Sequence, residues 1–141
     1  MATTDLRDAC VEIVEEIQTI SGIRSAPEVP PESTDLYPFV VTYPGGGDYH
    51  QGPAQVMTGM HNITVELHVE RKDLPRNYST VLDLIDVIPY ELMKLLNAGG
   101  FSTLSTFGNI EYSFGAMSWN EVETIGVRYT ITDVKVQTTI T

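Results

Sequence analysis

The sequence predicts a single α+β domain, with a mixed or antiparallel sheet of about four to five strands packed against two main helices. Three observations lead there. An apolar stripe at helical spacing opens the chain, strict alternation marks residues 60–70 and most of the last 40 residues, and proline and glycine punctuate the stretches between them. A length of 141 residues with 42% hydrophobic content and 12 aromatic residues suits one compact core over residues 1–141.

Residues 4–20 read as an amphipathic helix. Leu6, Cys10, Ile13, Ile17 and Ile20 recur at steps of four and three and so share one face, while Asp8, Glu12, Glu15 and Glu16 lie outside it. Thr4 is placed to cap this helix, Asp5 and Asp8 suit the positive end of its dipole, and Gly22 can take the left-handed conformation that ends it. Residues 25–38 hold Pro27, Pro30, Pro31 and Pro38 with Glu28, Glu32 and Asp35, a composition that makes an extended connector. Residues 39–43 read as a short strand stopped by Pro44 and the three glycines after it. Residues 44–59 then form a long loop carrying Tyr49, His50, Val56 and Met57.

Residues 60–70 are the clearest strand: Ile63, Val65, Leu67 and Val69 alternate with Asn62, Thr64, Glu66, His68 and Glu70, so one face meets the core and the other meets water or a partner. Asp73 is placed to cap a second helix over residues 76–96, whose apolar set is Tyr78, Val81, Leu82, Ile85, Ile88, Leu92 and Leu95. Pro89 removes a donor from it, which predicts a kink or two abutting helices. Residues 109–119 and a strand beginning near Glu123 read as a hairpin turning at Asn120-Glu121. In the last strand the apolar positions are odd for Ile125, Val127, Tyr129 and Ile131 but even for Val134, Val136 and Ile140. A period of two cannot change phase without an extra residue, so a bulge or a change of packing partner is expected near Thr132-Asp133.

The same strand, if continuous over residues 123–139, spans about 55 Å, against roughly 37 Å for the width of a domain this size. Its end must bend sharply or leave its own domain. Residues 132–141 are then either an arm that pairs with a neighbouring copy or a frayed tail.

Composition removes several function classes. With 19 acidic and 8 basic residues the net charge is −11, which repels phosphate and disfavours nucleic-acid binding through a basic surface. The single Cys10 cannot form an internal disulfide, which suits a reducing compartment. The first residues form no apolar signal core and no run is long enough to span a bilayer, so the expectation is a soluble, unprocessed chain without membrane contact. Without a secretory signal, the N-x-S/T triplets at Asn62 and Asn77 are chance matches.

No residue set reads as catalytic, metal-binding or cofactor-binding. Glu66, His68 and Glu70 place an imidazole between two carboxylates on one strand face, a row that could hold a divalent ion or move protons but is more often a solvated or interfacial face. His50 lies in the long loop, and His61 has the opposite strand parity from His68. Gly45-Gly46-Gly47 lacks the Lys-Ser/Thr of a phosphate loop, Asp83 and Asp86 lie on the wet side of the second helix, and Cys10 belongs to an apolar stripe. Tyr49, Met57, Met60, Met117 and Trp119 cluster next to turns, where they serve an interface or fold back on their own core.

The chain resembles the tail terminator proteins of long-tailed, siphophage-type bacteriophages. The residues carrying the likeness are Gly22-Ile23-Arg24 with the prolines that follow, Phe39 to Gly45, the run from His61 to Arg71 followed by Asp73-Leu74-Pro75, and the close from Ile125 to Ile131. Element order carries the likeness over nearly the whole chain. The resemblance implies a virion structural protein without enzymatic activity or cofactor, assembled in the host cytoplasm. Its copies would form a hexameric ring on the head-proximal end of the tail tube, stopping tube polymerisation and joining the tube protein to the head–tail connector. Under it, Tyr49, His50, Met57, Val136 and Ile140 are expected at subunit or tube contacts, and Arg24, Arg71 and Arg76 in charge pairs across an interface. A head-closure or neck protein of the same virion is the alternative, and a small ligand-binding or enzymatic domain using Glu66, His68 and Glu70 is a third reading.

The charge is uneven. Residues 1–35 hold eight acids and two bases, whereas residues 71–100 balance. A six-copy ring would carry about −66, and DNA would pass through it without tight binding. Glu66 and Glu70 are the residues expected to face that channel.

Overall fold

The computed structural model describes residues 4–31 and 36–140. Glu32 and Asp35 of the predicted connector, and Thr141 of the predicted arm, lie outside the described residues. The elements are α1 (Asp5–Gln18), β1 (Phe39–Gln51), β2 (Val56–Glu70), α2 (Leu74–Leu84), α3 (Val87–Asn97), β3 (Leu104–Thr106), β4 (Ile110–Trp119) and β5 (Val122–Thr139). The fold is α+β, with a five-stranded antiparallel sheet in the order β1-β2-β5 and β3 and β4 in tandem along the far edge of β5.

α1 forms as its apolar spacing predicts. Ala9, Cys10, Ile13, Val14 and Ile17 are buried. Thr4 holds the N-cap position but makes no side-chain bond to a backbone N–H, and its hydroxyl turns to the Asp8 carboxylate instead. Asp73 likewise occupies the N-cap of α2 without capping it, in a left-handed conformation at φ 48°. The neighbouring chain bend is fastened by Asn77, whose amide donates to the carbonyls of Glu70 and Lys72.

The predicted second helix is two abutting helices. The break falls at Ile85 and Asp86, ahead of Pro89, which sits in the first turn of α3 where a missing N–H costs least. Val81, Leu84, Ile88 and Leu92 enter the core with Ile13 and Ile17 of α1 and with Ile63, Val65, Leu67, Val127, Tyr129 and Ile131 of the sheet. Tyr78 and Leu82, expected in that stripe, are 42% and 51% exposed, so the buried face of α2 is narrower than its apolar spacing.

The predicted phase change in β5 is a bulge. Ile131 pairs with Ile63 and Val134 with His61, so Thr132 and Asp133 oppose the single Asn62, with Asp133 at φ 55°. The partner changes at the same place: Ile110 of β4 pairs with Ile131, and Leu104 of β3 with Val136. Thr132 bridges the two, accepting from the backbone N–H groups of Gly108 and Asn109 and donating its own N–H to the Asn109 carbonyl. The β4–β5 hairpin turns on Asn120 and Glu121, both at positive φ (47° and 69°), the geometry of a type I′ turn.

Two expectations are corrected. Residues 44–59 are not a long loop: β1 continues through Gly46 to Gln51, pairs with Met57–Asn62, and joins β2 through one 3₁₀ turn at Pro53–Gln55. Pro44 and the glycines are tolerated because β1 is an edge strand and a register shift between Pro44 and Gly46 absorbs the irregularity. The end of β5 is not a free arm. It remains paired with β2 as far as Thr139 opposite Val56, because β1 and β2 extend with it. The length that argued for an arm belongs instead to the whole sheet.

Candidate functional site

The chief concentration of reactive side chains is on the sheet face opposite the α1–α3 core. Strand parity places Phe39 and Tyr43 of β1, Glu66 and His68 of β2, Thr124 and Arg128 of β5 and Trp119 of β4 together. His68 Nε2 lies 2.9 Å from Glu66 Oε1, and its Nδ1 lies 2.6 Å from the Thr124 hydroxyl. The other carboxylate oxygen of Glu66 accepts from the Tyr43 hydroxyl and, at 3.2 Å, from Nε of Arg128. Phe39 and Trp119 pack against the imidazole at 5.8 and 6.1 Å, and the Trp119 indole donates to the Pro31 carbonyl at 2.9 Å, tying the connector over this face.

Burial alone would raise the Glu66 pKa. Hydrogen bonds from His68 and Tyr43, with the charges of His68 and Arg128, reverse that and hold the carboxyl below its ordinary value. Burial and the hydrogen bond to Glu66 push the Tyr43 phenol up to about 12. Gly126 faces His68 in the register, where a Cβ would lie 1.7 Å from the Leu67 carbonyl, so the strands approach too closely for any side chain.

A row of hydroxyl, imidazole and carboxylate has the order of a nucleophilic triad, but a nucleophile must reach its substrate. His68 and Thr124 are 0% exposed and Glu66 is 3% exposed. The network's His68, Thr124 and Glu66 are closed off from solvent, while Tyr43 is half-buried and Arg128 reaches the surface, and together they bond β1, β2 and β5 to one another. The expectation that this strand face meets water or a partner is therefore corrected at Glu66 and His68, which their own chain covers. Glu66 presents no charge to an open surface and cannot line a channel in this arrangement. Glu70 is half-buried and stands apart, on a separate cleft.

The remaining histidines do not join the network. His61 lies on the other face of β2, its ring 5.0 Å from that of Tyr49, and burial lowers its pKa against the opposing charge of Asp48. His50 is exposed on β1. Among the described residues, no group of three or more His, Cys, Asp and Glu side chains converges as a metal site, and no helix is long and apolar enough to cross a membrane.

The residues expected at contacts divide into three groups. Tyr49 (57% exposed), His50 and Ile140 are open on the distal hairpin and the β5 terminus. Met57 is half-buried opposite Thr138, and Val136 is buried in the core, so Val136 is not a surface residue: the bulge has turned it inward. Arg71 pairs at 3.0 Å with Glu123 of its own chain. Arg24 and Arg76 remain exposed and line one cleft of about 390 Å³ at the start of β1, the end of β2 and the first turn of α2. Trp119, expected next to a turn, folds back on Phe39.

Sequence reasoning missed Lys72, which shares the cleft with Arg24 and Arg76, and the exposed apolar row of Leu74, Tyr78 and Leu82 on α2. The i, i+4, i+8 spacing of that row was a readable signal; its partial exposure was not, and Tyr78 still meets Phe114 of β4 edge to face at 5.3 Å. Neither a scan of protein-family models nor a search of curated proteins finds a match to this chain.

Proposed function

We propose that the protein is a phage virion component that assembles as a ring at the head-proximal end of a tail tube, ends tube growth and joins the tail to the head connector. The observation that carries this reading is the shape of the sheet. Its outer strands, β1 and β4, pair with no other strand on their far sides among the described residues, although a single bridge from Ser25 covers the start of β1 at Phe39, and the distal β1–β2 hairpin carries open Tyr49 and His50. Two different edges on one subunit, the β1 edge open beyond that bridge, suit head-to-tail contacts, which close into rings when the rotation closes. The resemblance in element order to tail terminators supplies the place in the virion. The sealing of His68 and Thr124 removes support from a ligand site on the Glu66–His68 row.

Native mass spectrometry of the protein, with electron microscopy of tubes incubated with it, tests the proposal. Six-copy rings at one end of the tubes are expected. A protein that stays strictly monomeric and never joins tubes overturns it. Tubes of uncontrolled length in the absence of the protein distinguish a terminator from a neck protein, whose loss leaves tube length unchanged.

A further inference from the structure

We infer that the cleft lined by Arg24, Lys72 and Arg76 receives the acidic face of α1, at Glu15 and Glu16, from a second copy of this chain. This rests on the ring reading and names one of its contacts. The chain has 8 basic residues against 19 acidic ones, so where its cations gather matters. Arg128 is engaged by Glu66 and Arg71 by Glu123. Arg24, Lys72 and Arg76 gather around one cleft and form no ion pair among the described residues. Glu70 and Asp73 line the same cleft, yet neither reaches ion-pair distance of the three bases.

The complementary surface lies on other elements of the same molecule. Glu12, Glu15 and Glu16 of α1 line a second cleft of about 300 Å³ with Leu95 and Gly100, and no base lines it. Glu12 is occupied, because its carboxylate accepts from the backbone N–H groups of Ser102, Thr103 and Leu104. Glu15 and Glu16 have no side-chain partner among the described residues. One copy thus offers an unpaired basic patch and an unpaired acidic patch on different elements, the arrangement that joins copies head to tail. Polyphosphate backbones are the poorer occupant, since the rest of a −11 molecule repels them.

Two charge-reversed proteins test the contact: Arg24→Glu with Arg76→Glu, and Glu15→Lys with Glu16→Lys. Each is read by sedimentation velocity and native mass spectrometry beside the wild type. Each alone sets like charge against like charge, and self-association weakens by about tenfold or more. Mixed, they present opposite charges at both contacts, and assemblies containing the two in equal numbers are expected. Wild-type association is also expected to weaken as salt rises from about 0.05 to about 0.5 M, a readout that needs no variant. If the wild type assembles while both variants assemble equally well, or the mixture fails to recover, or salt has no effect, this contact is wrong and the ring reading stands. A wild type that stays monomeric, alone and with tubes, overturns both.

Discussion

The hydroxyl of Tyr129 donates to the carbonyl of Ile85 at 2.6 Å, filling the place that Pro89 leaves empty. In an unbroken helix that carbonyl would accept from the N–H of the residue four positions on, and that residue is the proline. The sheet thus repairs the helix that its own sequence breaks, and Tyr129 is 1% exposed as a result. Replacing Tyr129 with Phe leaves the carbonyl of half-buried Ile85 without this donor and is expected to cost about 1 kcal/mol. Pro89→Ala supplies a backbone donor instead, so the same Tyr129→Phe change should cost less in that background. Urea unfolding of the four proteins in this cycle measures the coupling, and equal costs in both backgrounds would show that the bond carries no such role.

Glu66 predicts a pH dependence. Its folded pKa is below its ordinary value of 4.5, so the unfolded chain takes up a proton that the folded chain refuses. The stability this provides is complete above about pH 4.5 and is lost as pH falls through the lowered folded value. Glu12 acts in the same window: burial alone would raise it, but the N–H groups of Ser102, Thr103 and Leu104 and the Ser102 hydroxyl lower it. Glu66→Gln and Glu12→Gln should each be less stable than wild type at pH 7 and show a shallower decline between pH 5 and 3 in urea midpoints. Glu66→Ala strands a buried imidazole and should cost about 3–5 kcal/mol. An acid limb as steep in Glu66→Gln as in wild type would rule out this linkage.

What was legible in the sequence is what local spacing controls. The stripe of Cys10, Ile13 and Ile17 marks a helix with one buried side, and the parity change between Ile131 and Val134 locates the bulge. The hairpin extension was illegible because Pro44 and Gly45 read as stop signals, while strand continuation there depends on Met57–Asn62 across the register. The candidate site failed for a similar reason. Alternation marks Glu66 and His68 as a polar face, but only Trp119, more than 50 residues away, and the connector that Trp119 holds decide that this face is covered. Arg24 and Arg76 were readable as scarce cations; that Lys72 stands beside them is set by the turn into α2.

Cys10 should be inert in the folded protein. Its side chain belongs to the core, and burial pushes the thiol up to about 11 from an ordinary 9.0, so near pH 8 the thiolate is about a hundredfold scarcer than in the unfolded chain. Labelling with a disulfide reagent is expected to follow global unfolding, with the folded rate at least about a hundredfold below the rate in urea. Fast, complete labelling under native conditions would mean that α1 leaves the sheet readily.

Asp133 is where β5 absorbs the extra residue that separates its two runs of apolar positions. Its left-handed conformation, φ 55°, lets two residues of β5 stand opposite Asn62, so that Val127, Tyr129 and Ile131 before it and Val134 and Val136 after it all enter one core. Asp133→Gly or Asp133→Asn keeps that conformation accessible and should change stability by less than about 1 kcal/mol. Asp133→Val places a β-branched residue there and should cost about 1–2 kcal/mol or more. Deleting Asp133 removes the bulge and returns β5 to a strict period of two. Thr132 alone then stands opposite Asn62, and Val134 and Val136, now two and four positions after Ile131, still face the helices in the same register. The deletion is expected to keep hydrogen-exchange protection at residues 56–61 and 134–139 as well as at residues 63–69 and 125–131. A deletion protein that loses protection at residues 56–61 and 134–139 would show that the bulge itself, and not the apolar phase on either side of it, holds the distal half of the sheet.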